Sequence, residues 1–151
     1  MQAFSELIAE LFHSEVSVHW KLKSTAHAVA SFVVRSIAVE VEFQQREHNG
    51  PWHVAFNTAH GDMADRTNIT LAFRIFNGVF QAVREFVETR EPEAMVFIAK
   101  DEDLASIYET YLRREKSNVE ELGYRVEGPY SVAPYTEWTL RRTKASGWHG
   151  V

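Results

Sequence analysis

The sequence predicts an α+β domain in which helices pack on one mixed sheet. Three observations predict it. Between residues 16 and 57, apolar and polar residues alternate in successive segments, the period of half-buried strands. From Thr70 to Val87 the period changes to that of a helix with one broad apolar face. An unbroken apolar run, "AMVFIA", follows, then a second helical stretch and two further strand-like segments.

Taken in order, Phe4, Leu7, Ile8, Leu11 and Phe12 recur at helical spacing and predict a short N-terminal amphipathic helix. "VSVHWKLK" sets Val16, Val18, Trp20 and Leu22 against Ser17, His19, Lys21 and Lys23, one strand with two faces. "AVASFVV" and "IAVEVEFQQRE" flank Arg35-Ser36, where a turn is expected whose type the residues do not reveal. In the second arm Ile37, Val39, Val41 and Phe43 oppose Ala38, Glu40, Glu42 and Gln44. Asn49-Gly50 is a strong turn signal, and beyond it Trp52, Val54 and Phe56 alternate with His53, Ala55 and Asn57. These segments predict a four-stranded antiparallel meander.

"AHGDMADRTN" has no apolar period and is read as a loop. The helix after it carries Leu71, Ile75, Phe76, Val79, Phe80, Val83, Phe86 and Val87 on one face. Burying such a face contributes on the order of 12–24 kcal/mol before conformational entropy is set against it. Asn68 or Thr70 is the expected N-cap, because a short side-chain oxygen accepts from the first free N–H groups. "AMVFIA" suits a strand buried on both faces. A second helix starts between Asp101 and Asp103, with Ala105, Ile107, Tyr108, Tyr111 and Leu112 as its buried stripe. Charge dominates "RREKSNVEE"; Gly123 suits a helix C′ position, "YRV" opens another strand and "TEWTLRR" is the last. The Pro-bounded stretch "GPYSVAPYTEW" is expected to connect those two strands as a loop, with Tyr130, Tyr135 and the tail's Trp148 as a possible recognition surface. Residues 1–142 are read as one domain and 143–151 as a flexible tail.

Composition bounds the function. A formal net charge of −5 argues against a general nucleic-acid or membrane-surface binder, despite basic clusters at Arg113–Lys116 and Arg141–Lys144. The absence of cysteine excludes disulfides, cysteine zinc sites and thiol nucleophiles, and it fits a reducing cytoplasm. The first residues lack the pattern of a signal peptide, and no apolar run reaches membrane-spanning length. The seven histidines show neither His-x-x-x-His nor HExxH spacing, so no metal site is expected.

The order of meander, long helix, buried strand, helix ending in "LGY" and two final strands resembles the GCN5-related N-acetyltransferase (GNAT) fold. The chain also resembles a family of uncharacterised phage-encoded proteins thought to share that fold. The residues that carry this second likeness are Ala72-Phe73-Arg74-Ile75-Phe76, Phe97-Ile98-Ala99, Ile107-Tyr108-Glu109 and Gly123-Tyr124.

The resemblance implies candidate site residues. In working acetyltransferases, glycines in the turn before the central helix let backbone N–H groups close around the pyrophosphate of acetyl-CoA. Here that turn reads Arg66-Thr67-Asn68-Ile69-Thr70-Leu71-Ala72, without the two central glycines. Arg66, Asn68, Thr70 and Leu71 are therefore either a degenerate phosphate cradle or an ordinary capped helix start. Tyr108 matches the tyrosine that protonates the departing thiolate, or else it is core. Glu42, beside Glu40, is a candidate general base through a water, or part of a solvated sheet face. His53 and His60, near the end of the fourth strand, are candidate acid–base groups or structural histidines. Two function classes follow: a phage accessory factor that binds a host or phage protein, and an acyl-CoA-dependent N-acetyltransferase. In the first no cofactor is expected; in the second it is acetyl-CoA.

Overall fold

The computed structural model describes residues 16–58, 69–100, 102–132 and 134–143. The expected N-terminal helix, the loop from Ala59 to Asn68 and the tail beyond Thr143 lie outside the described residues, as do Asp101 and Ala133. The elements are β1 (His19–Lys23), β2 (His27–Val34), β3 (Ile37–Gln45), β4 (Trp52–Thr58), α1 (Ile69–Arg90), β5 (Ala94–Ala99), α2 (Glu102–Arg114), α3 (Lys116–Glu121), β6 (Tyr124–Val132) and β7 (Tyr135–Arg142).

The seven strands form one open mixed sheet in the order β1-β2-β3-β4-β5-β7-β6. Every neighbouring pair is antiparallel except β4 and β5, which α1 connects and which run parallel. Register brings Ala28, Phe43, Val54, Phe97 and Trp138 side by side across five strands, all of them buried. The helices cover that face. Phe86 of α1 stacks on Phe43 at 4.3 Å between centroids, and Tyr108 of α2 lies 5.4 Å from Trp138. No helix among the described residues packs on the opposite face, which presents Glu40, Glu42, His53, Ile98 and Glu137.

The helical stripes form as the sequence period requires: Ile75, Phe76, Val79, Val83, Phe86 and Val87 are buried on α1, and Ile107, Tyr108, Tyr111 and Leu112 on α2. Three local features differ from the sequence reading, and a fourth supplies what it left open. β1 begins at His19, and a register shift between Trp20 and Leu22 breaks its alternation. Trp20 keeps its expected place on the core side, its indole N–H donating to Glu85 Oε1 at 3.0 Å, whereas Leu22, expected beside it, is 42% exposed. The charged segment after α2 folds as α3, with Val119 buried and Gly123 ending it at a φ of 92°, a region only glycine enters freely. The stretch from Gly128 to Glu137 is no loop: β6 runs to Val132 and β7 starts at Tyr135, so the two strands form a long hairpin.

The fourth feature is the Arg35-Ser36 turn. Val34 pairs with Ile37, and the two residues between them have φ values of 49° and 68°. Positive φ at both central residues is the type I′ geometry that matches strand twist and favours Asn-Gly. An R35N/S36G variant is therefore expected to be more stable by about 1 kcal/mol. A thermal melt should show a rise of roughly 2–4 °C.

Candidate functional site

The sheet contains a fork. Parallel pairing of β4 and β5 covers only Trp52↔Met95, His53↔Val96 and Val54↔Phe97. Beyond those pairs β4 stays with β3, ending at Val39↔Thr58, while β5 stays with β7, ending at Ala99↔Thr136. The two strands separate toward their carboxyl ends, where a crossover helix also begins. Crevices at that end of parallel strands are common ligand sites in α/β sheets.

Tyr108 sits under the fork on the helix side. Its ring contacts both arms: Phe56 of β4 at 6.3 Å, Phe97 of β5 at 6.2 Å and Trp138 of β7 at 5.4 Å, with Phe76 of α1 edge-on at 4.7 Å. The residue is 2% exposed, and burial pushes its phenol far above the ordinary range. It therefore stays protonated at any physiological pH. Tyr111, one turn on, donates its hydroxyl to Asn77 Oδ1 at 3.2 Å and is likewise pushed up, chiefly by burial.

Glu42 and His53 lie on the other face of the sheet, so the structure does not bring them together with Tyr108. Glu42 Oε2 is 2.8 Å from His27 Nε2, and Glu40 is ion-paired with Lys21. His53 stands at the base of the fork. Its Nδ1 is buried without a hydrogen-bond partner. Burial and the positive charge of Arg46 lower its pKa, and Glu137 opposes them. A neutral imidazole at that point is suited to accept a proton or hydrogen bond from a group entering the fork.

Of the expected phosphate-binding residues, Leu71 is half-buried in the first turn of α1. Thr70 belongs to the same turn, inside the helix rather than at its cap. Arg66 and Asn68 lie outside the described residues, as does His60. No group of three or more metal-ligating side chains gathers among the described residues, and no described helix is long and apolar enough to cross a membrane. A cavity of about 30 Å³, room for one water, lies between α1, α3 and β7. Its wall is largely apolar, with Val83, Met95, Val119 and Tyr124, and it includes none of Phe56, Tyr108 and Trp138, which lie at the fork.

The sequence reading did not single out Glu137. Register pairs it with Ile98 on one side and Tyr130 on the other. At this end of the face opposite the described helices Ile98 is 38% exposed, Tyr130 49%, Val132 51% and Tyr135 45%. The signal for Glu137 was its place two residues after Tyr135 and next to the core Trp138. Its neighbours became visible only with the order β5-β7-β6. Compared with known proteins, the chain matches no protein-family model, no curated protein and no solved structure.

Proposed function

We propose that this chain is a binding protein built on a GNAT-like scaffold, a phage accessory factor that engages a host or phage protein rather than transferring an acyl group. One observation carries the reading. The end of the sheet face opposite the described helices exposes Ile98, Tyr130, Val132 and Tyr135 together, whereas Tyr108, Glu42 and Glu40 are committed elsewhere. Tyr108 is packed among aromatic rings, Glu42 is held by His27 and Glu40 by Lys21. Exposed aromatic clusters of this kind are typical binding anchors.

The second reading, an acyl-CoA-dependent N-acetyltransferase, draws support from the fork. A parallel pair that parts after three residue pairs, with α1 as its crossover, is an arrangement in which a pyrophosphate entering between the strands would meet the helix dipole. In that reading Arg66, Asn68, Thr70 and Leu71 hold acetyl-CoA and Tyr108 is the acid. Calorimetric titration with acetyl-CoA separates the two. No binding at millimolar cofactor is the expected result, with the I69G/T70G variant as a comparison in which the missing glycines are restored. Micromolar binding by the natural chain would replace the first reading with the second.

A further inference from the structure

The carboxylates on the sheet face opposite the described helices are not equivalent. Glu40 is ion-paired with Lys21, Glu42 is hydrogen-bonded with His27, and Glu127 accepts from both Arg125 and Arg141 at 2.8 and 2.9 Å. Those two guanidinium groups hold the Glu127 carboxyl below the usual carboxylate range, Arg141 most strongly. Glu137 has no ion-paired or hydrogen-bonded cation among the described residues. It is also the carboxylate placed among the exposed apolar side chains. Tyr130 lies directly across from it on β6, Ile98 directly across on β5, and Tyr135 precedes it by two residues on the same face of β7. Directly opposed residues in an antiparallel pair hold their Cβ atoms about 5 Å apart, and diagonal neighbours remain within reach of an aromatic ring.

We propose that Glu137, Tyr130 and Tyr135 form a seat for an arginine side chain presented by the partner protein, flanked by apolar residues that cover Ile98 and Val132. The proposal rests on the binding reading above and names the partner's chemistry. A planar guanidinium fits because it stacks on aromatic faces and pairs with a carboxylate through two N–H groups. An ammonium forms only the point-charge part of that contact. An anionic or purely apolar segment would leave Glu137 covered and uncompensated, which is costly. The partner thus supplies the cation that the described residues do not place beside Glu137.

The test uses the full chain and three capped peptides, acetyl-Gly-Leu-Arg-Leu-Gly-amide and its Arg→Gln and Arg→Glu analogues, followed by amide chemical shifts. The arginine peptide is expected to shift Ile98, Tyr130, Val132 and Tyr135 saturably, and the glutamine peptide to bind at least tenfold more weakly. Glu137→Gln should remove that preference while leaving the spectrum dispersed, and Glu42→Gln should leave it intact. Equal binding of the arginine and glutamine peptides, or no shift with any peptide, would overturn the seat. A preference for arginine that survives Glu137→Gln would overturn it as well. Titrating acetyl-CoA into the same sample reports separately on the binding reading, because cofactor binding would unseat that reading whatever the peptides do.

Discussion

Replacing Gly78 by valine is expected to destabilise the fold by about 3 kcal/mol, near the upper end of overpacking penalties. A Cβ at this position would stand 2.3 Å from Cε2 and 2.5 Å from Cζ of Phe32. That ring is 2% exposed in the centre of β2, so it has nowhere to move without displacing the sheet or α1. Gly78 is what allows α1 to lie directly on β2. Alanine in its place gains about 1 kcal/mol of helix propensity over glycine and still meets the ring, so its net cost is smaller. Urea unfolding should show the midpoint falling with the slope unchanged, and the melt of the valine variant should drop by roughly 6–12 °C. Shortening Phe32 to leucine alongside Gly78→Val should recover part of the loss. A double-mutant cycle would give that coupling directly, and additivity of the two changes would refute the close approach as the cause.

That contact illustrates what the sequence could disclose. The apolar stripe of α1 and the alternation of β3 and β4 were legible because each side chain's fate is decided locally by the period of 3.6 or 2. Gly78 lies inside the stripe and reads only as a weak point in a helix; its purpose depends on Phe32, some forty-six residues earlier in the chain. Only Leu22 departs from the faces read for β1, because one extra residue, at Lys21, shifts its pairing, and pattern alone does not reveal a bulge. The β6–β7 hairpin was mistaken for a loop because Gly128, Pro129 and Pro134 are turn residues by composition. The paired strand around them tolerates the first two at a register irregularity on the sheet's edge.

The candidate site was legible in part for the same reason. Tyr108 could be placed on a buried helix face and His53 on a strand. That the sheet separates them follows only from which way α1 and α2 pack. The fork arises from the parallel pairing of β4 with β5 and their later commitment to different neighbours, a property of topology rather than of any residue in either strand. Glu137 gained significance only when Glu40, Glu42 and Glu127 on its face proved to have partners.

Tyr108→Ala should be among the most damaging substitutions in the protein, costing roughly 3–5 kcal/mol, while Tyr108→Phe should cost less than about 1.5 kcal/mol. The contrast follows from where the contacts are. Four aromatic neighbours, Phe56, Phe76, Phe97 and Trp138, touch the ring, and together they join both arms of the fork to α1 and α2. Deleting the ring opens a cavity at the one place where β4 and β5 no longer support each other through backbone pairing. Phenylalanine retains the whole ring and removes only the hydroxyl. The pair of variants also bears on function through a second readout. In a binding protein the phenylalanine variant keeps both its stability and its peptide affinity, since the ring's packing is all that the fold asks of it. In an acyltransferase the same variant would keep its stability and lose turnover with an amine acceptor, because the buried phenol, held protonated, would be the proton source for the leaving thiolate. Stability that survives Tyr108→Phe together with unchanged arginine-peptide binding would therefore assign Tyr108 to the core. A fall of several kcal/mol on that same substitution would mean that the hydroxyl, and not the ring, holds the fork together.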